Sequence, residues 1–115
     1  MGPQNMNAMV EDMADLLISN ESDINNAARS MKAMAHPLRL KILCILGPAK
    51  EVSVQDIVEQ VGTSQSNISQ HLSILRDKGI LQARKDANKV FYSINDPRIV
   101  ALIGSLREAF CSMGH

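Results

Sequence analysis

Residues 64–79 form a stretch with two chemically opposed faces, and that opposition limits what the surrounding chain can fold into. Ile68, Leu72 and Leu75 recur at i, i+4 and i+7, the spacing of a helix that buries one stripe. Gln65, Ser66, Asn67, Ser69 and Gln70 occupy the remaining surface. They carry short, uncharged donors and acceptors, where a merely solvated face usually collects Lys and Glu. Such groups can bond to base edges in a major groove. A face rich in Ser and Gln is equally compatible with plain solvent exposure, so the neighbouring sequence has to decide.

Both flanks carry matching signals. Upstream, residues 54–62 read as a short helix with Ile57, Val58 and Val61 on its inner stripe. Gly62 suits the left-handed residue that stops a helix, and Thr63 or Ser64 offers an N-cap oxygen to the next one. After Gly79 the period changes to that of strands. Residues 80–85 and 90–94, the second run rich in β-branched and aromatic side chains, flank the turn signal Asp86-Ala87-Asn88-Lys89. Arg84, Lys85 and Lys89 gather at the tip of this hairpin, where cations reach phosphates. Helix, Gly-containing turn, helix and basic hairpin, in this order, are far more specific together than any one part. The expected fold is mainly α with a small β-hairpin: a winged helix-turn-helix.

The outer segments supply candidate packing faces. Residues 1–22 read as an N-terminal segment, frayed over 1–7 and helical over 8–18, where Met9, Met13, Leu16 and Leu17 keep helical spacing. Residues 23–115 read as the winged helix-turn-helix domain, with dimerisation helices at both ends. Helix resumes over 24–35, with Ile24, Ala27, Ala28, Met31 and Met34 on one side. A last helix starts at Pro97, and Ile99, Leu102, Ile103, Leu106, Phe110 and Met113 form its stripe. That stripe is long for a chain of 115 residues to cover alone. A two-fold dimer would cover it and set the spacing of two recognition helices. The expected interface comprises Met13, Leu16, Leu17, Met31, Leu102, Leu106 and Phe110.

A net charge of zero conceals a sorted distribution. Residues 1–28 hold five acids and no Lys or Arg; residues 29–115 hold all twelve basic residues, a balance of +5. Neutrality therefore does not argue against a nucleic-acid partner. No run approaches the ~18 apolar residues of a membrane span, and no export leader is visible, so a cytoplasmic protein without a membrane partner is expected. There is no Gly-rich phosphate loop, paired-carboxylate motif or Cys–His pair with an orienting group, so no enzyme and no cofactor are expected.

Ala33-Met34-Ala35-His36-Pro37-Leu38-Arg39-Leu40-Lys41-Ile42-Leu43, then Ser64-Gln65-Ser66 through Gln70-His71-Leu72, Leu75-Arg76-Asp77-Lys78-Gly79-Ile80-Leu81 and Val90-Phe91-Tyr92 resemble the ArsR/SmtB family of small bacterial repressors. The resemblance runs from about residue 27 to the C-terminus. It implies a homodimer on double-stranded operator DNA, released by an inducer. The expected DNA-binding residues are Ser64, Gln65, Ser66, Asn67, Ser69, Gln70, His71, Arg84, Lys85 and Lys89, with His71 in a surface or phosphate role.

The family's metal sensors imply thiolates where this chain has Ser53 and Gln55, and these are poor ligands for soft metals. On the last helix, Glu108, Cys111 and His115 lack a second histidine, and Cys111 with His115 alone cannot close a tetrahedral site. No metal is expected. The two cysteines, Cys44 and Cys111, resemble instead the pair of the family's dithiol branch, the HlyU, BigR and SqrR group. That resemblance implies oxidation, or bridging by sulfur, with loss of DNA affinity. Plain space-filling remains open for Cys44, since unpaired cysteines are commonly buried. A metal-sensing repressor of the same fold and a protein-interaction module without a DNA role are the alternatives.

Overall fold

The computed structural model describes residues 21–110. In chain order these form α1 (Glu21–Met34), α2 (Pro37–Leu46), β1 (Val52–Ser53), α3 (Val54–Val61), α4 (Gln65–Asp77), β2 (Leu81–Asp86), β3 (Lys89–Ile94) and α5 (Pro97–Phe110). The helix expected over residues 8–18, and with it Met13, Leu16 and Leu17, lies outside the described residues, as does Cys111.

Within the described residues α1 runs Glu21–Met34, so helix already covers the three residues before Ile24, the first of its apolar spacing. Glu21 and Asp23 in the first turn, and Lys32 in the last, oppose the helix dipole favourably. Ile24 and Met31 are exposed, and Arg29 donates to Asn26 Oδ1 at 2.7 Å.

In residues 32–110, the last turn of α1 contributes Ala33 and Met34 to the core. α2 is the central helix. Pro37 opens it, and His36, in extended backbone, caps it by accepting the Leu38 N–H on Nδ1 at 3.1 Å. Ile42, Leu43 and Leu46 are fully buried because α2 packs on α3, α4, α5 and β3 at once. Ile57 of α3, Ile68, Leu72 and Leu75 of α4, and Ile103 of α5 complete the fully buried set.

The helix-turn-helix junction follows the expected local chemistry. Ser53 caps α3 by accepting the Asp56 N–H, and Gly62 ends the helix at φ 81°. Of the two capping oxygens on offer, Ser64 is the one used, accepting the Asn67 N–H at 3.2 Å. Thr63 Oγ1 accepts from Asn67 Nδ2 instead.

The sheet has three antiparallel strands in the order β1-β3-β2, one more than the hairpin alone. β1 pairs Val52 with Tyr92 and Ser53 with Phe91. Two residues are too few to show a period of two, so only the tertiary pairing reveals this strand. In the hairpin turn, Ala87 rather than Asp86 or Asn88 takes the left-handed position, at φ 55°.

The last helix divides its own stripe. Asp96 Oδ1 accepts the Arg98 N–H at 2.8 Å just before it. Ile103 is fully buried, Ile99 and Leu106 pack half-buried against the core, and Leu102 and Phe110 are 38% and 73% exposed.

Candidate nucleic-acid interface

α4 aims its polar groups in three directions, because successive residues turn by about 100° around the axis. Ser66, Gln70 and Ser73, at i, i+4 and i+7, lie opposite the buried Ile68, Leu72 and Leu75 and are exposed. Gln65 and Ser69 stand on one flank and face a cleft shared with the hairpin. Asn67 and His71 stand on the other flank and are half-buried. Ser73 belongs to the outward face although the sequence reading omitted it; its spacing from Ser66 and Gln70 was the available signal. Ser64 and Asn67 are both engaged in closing the turn before α4.

The three hairpin cations do not form one cluster. Neighbouring strand residues point to opposite faces of a sheet. Tyr92 is buried on the face toward the helices; Val90 shares that face, and so does Lys85, which pairs with Val90. Arg84 pairs with Phe91 and lies on the other face. Its guanidinium sits over the Phe91 ring at 4.8 Å and binds both carboxylate oxygens of Glu51, with Nε to Oε2 at 3.1 Å. Asp86 adds a longer contact at 3.7 Å. The Arg84 hydrogen bond, more than its charge alone, holds the Glu51 carboxyl below the usual carboxylate range. A planar fork already filled by a carboxylate meets a phosphate only after that pair opens. Lys89, at the hairpin tip, and Lys85 remain exposed.

His71 departs from its expected surface or phosphate role. Its ring lies against His36, with centroids 4.6 Å apart, and its Nδ1 is buried without a hydrogen-bond partner among the described residues, as is Arg39 Nε. Burial, reinforced by His36 and the Arg39 charge, pushes the His71 pKa down. The unfolded chain therefore takes up a proton first as pH falls. Stability is full above the ordinary histidine value of 6.5, declines as pH drops through it, and levels off below the folded value. The melting temperature should fall accordingly between pH 7 and 5, and His71→Phe, which keeps a ring but cannot titrate, should flatten that decline. An equal decline in the variant would assign the effect to another group.

A helix with an exposed, uncharged polar face, held by a preceding helix and flanked by a hairpin with cations at its tip, defines a winged helix-turn-helix DNA-binding module. Comparison with known proteins narrows the class. Residues 36–83 match the model of the bacterial regulatory protein arsR family. The HTH-type transcriptional regulator YgaV of Escherichia coli is 36% identical over 91 residues, covering 79% of this chain and 92% of its own. Reduced HlyU from Vibrio cholerae superposes with a TM-score of 0.75 at 38% identity, covering 81% of this chain and 97% of that one. The transcriptional repressor BigR from Xylella fastidiosa does so with a TM-score of 0.72 at 32% identity, over 81% and 94%.

The chain belongs to the arsR family, a family of DNA-binding transcriptional regulators rather than enzymes. Among the described residues no helix is long and apolar enough to cross a membrane.

Proposed function

We propose that the chain is a homodimeric, cytoplasmic repressor that reads operator DNA through α4 and releases it when Cys44 and Cys111 are oxidised or bridged by sulfur. The observation that carries the DNA reading is the exposed line of Ser66, Gln70 and Ser73, uncharged and directly opposite the buried stripe of the same helix. Gln65 and Ser69 flank it on the hairpin side, and Lys85 and Lys89 supply phosphate contacts beside the groove.

Dimerisation is supported by apolar side chains left exposed on two helices: Ile24 and Met31 on α1, and Leu102 and Phe110 on α5. The thiol switch is supported by the packing of α2 on α5. The Ile103 side chain lies against the end of α2 at Gly47, one turn from Cys44, which is half-buried against the core. Cys111 follows directly on the last residue of α5. Both HlyU, solved in a form described as reduced, and BigR share this fold.

Two substitutions test the DNA reading. Gln70→Ala should cost ~1–3 kcal/mol of discrimination at one or two base pairs and leave non-specific binding intact. Lys89→Ala should weaken all sequences alike and lower the salt slope by about one. Titrations of selected and unrelated duplexes across a range of salt read both effects. Unchanged affinity in the two variants would remove α4 and the hairpin from the interface.

A further inference from the structure

The face of the hairpin sheet turned away from the helices carries Arg84 and Asp86 from β2, and Lys89 and Phe91 from β3. Glu51 precedes β1 directly, and the strand order β1-β3-β2 puts it across the central strand from Arg84. The Arg84 side chain is therefore laid across β3. Its guanidinium covers the Phe91 ring at 4.8 Å. Nε donates to Glu51 Oε2 at 3.1 Å, Nη2 donates to Glu51 Oε1, and Asp86 Oδ2 stands 3.7 Å from Nη1. Glu51, Asp86, Arg84 and Lys89 together carry no net charge. The contact is open to solvent, with 52% of the Arg84 side chain exposed. Both partners register it in the same sense: the shared hydrogen bond lowers the Glu51 pKa and raises that of Arg84.

From this contact we infer that Glu51 is a specificity-determining residue: by occupying the Arg84 fork it suppresses binding to DNA of arbitrary sequence. The inference rests on the DNA reading proposed above. Attraction to any duplex comes almost wholly from cations that displace counterions at phosphates. A complex held by charge alone adapts its docking, so each free surface cation finds a phosphate. A complex fixed by α4 in a groove has one register and cannot adapt in this way. In that register Arg84 stands on the sheet face turned from α4, two residues along the strand from Asp86 and the hairpin tip. An unoccupied Arg84 would thus strengthen arbitrary binding more than operator binding. Its planar fork is the side chain best matched to phosphate, and a carboxylate is the side chain that fills the same geometry. Glu51 supplies that carboxylate, while Phe91 and Asp86 hold the guanidinium flat against the sheet.

The test uses the full-length chain and a duplex that it selects from a random-sequence pool, with an unrelated duplex beside it. Glu51→Gln keeps the size of an exposed side chain and removes its charge, and exposed ion pairs contribute little to folding, so the variant should melt as the parent does. It should bind the unrelated duplex about fivefold more tightly, with a salt slope steeper by about one per subunit. Affinity for the selected duplex should change less than about twofold, so the ratio between the two falls. Arg84→Gln should match the parent on both duplexes, and Arg84→Gln combined with Glu51→Gln should abolish the gain. Unchanged binding of the unrelated duplex by Glu51→Gln, or equal tightening on both duplexes, would overturn the inference while leaving DNA binding in place. So would a gain that persists without Arg84, which would assign it to the lost charge alone, or weaker operator binding by Arg84→Gln. Failure of the parent chain to select any duplex would instead overturn the DNA reading, and this role of Glu51 with it.

Discussion

Cys44→Ser and Cys111→Ser should each bind operator DNA as the reduced parent does and keep binding after treatment with a polysulfide donor or peroxide. The parent should release the DNA by more than a hundredfold under the same treatment. Such a release corresponds to about 3 kcal/mol, at the upper end of common allosteric couplings. With peroxide, the two thiols give up two protons and two electrons, peroxide is reduced to water, and a direct disulfide is left. With a polysulfide donor, the donor is reduced to hydrosulfide, and any additional bridging sulfur is zero-valent sulfur transferred from it. Its mechanical consequence follows from the fold. α2 packs on α3, α4 and α5, so a tie between α2 and the end of α5 constrains the helix that supports the DNA-reading unit. The measurement is operator affinity before and after treatment, with mass spectrometry of both cysteines. Parental release in either single mutant would exclude the dithiol switch and return metal sensing to first place.

Phe110→Glu should convert the proposed dimer to a monomer. At 73% exposed within one chain, Phe110 contributes little to that chain's own core, so a charge there leaves the fold intact. In a two-fold interface the same charge would appear twice, desolvated and without a partner. Large anchors of this kind commonly contribute about 3 kcal/mol, so the dimer dissociation constant should rise more than a hundredfold and operator binding should be lost with it. Leu106 is a poorer probe. It packs against the core of its own subunit, and Leu106→Glu would damage the monomer before it reported on assembly. Sedimentation equilibrium together with circular dichroism separates these outcomes. A folded Phe110→Glu chain that remains a tight dimer would move the interface away from the end of α5.

How far the molecule was legible from its residues depends on how local each determinant is. Helix periodicity identified Ile68, Leu72 and Leu75 as one buried stripe, and all three are fully buried. Gly62, with Thr63 or Ser64 after it, marked the turn of the helix-turn-helix because a left-handed residue and an N-cap oxygen are short-range requirements; which of the two hydroxyls caps, Ser64, came from the structure. Pro97 marked the start of the last helix for the same reason.

What the chain alone did not disclose needed partners distant in sequence. β1 exists because residues 52 and 53 find Tyr92 and Phe91 some 40 positions away. Arg84 looked like one of three clustered cations, but strand alternation sends it to the far face and Glu51, from before β1, occupies its fork. His71 looked like a surface residue of the recognition helix until α2 brought His36 and Arg39 against it. The cleft behind Gln65 and Ser69 likewise draws on three separate elements. Secondary structure, caps and the apolar stripes were thus determined by residues within a few positions of one another. The partners of charged and titratable side chains were decided only when helices and strands packed, because electrostatic neighbours are set by distance in space and not along the chain.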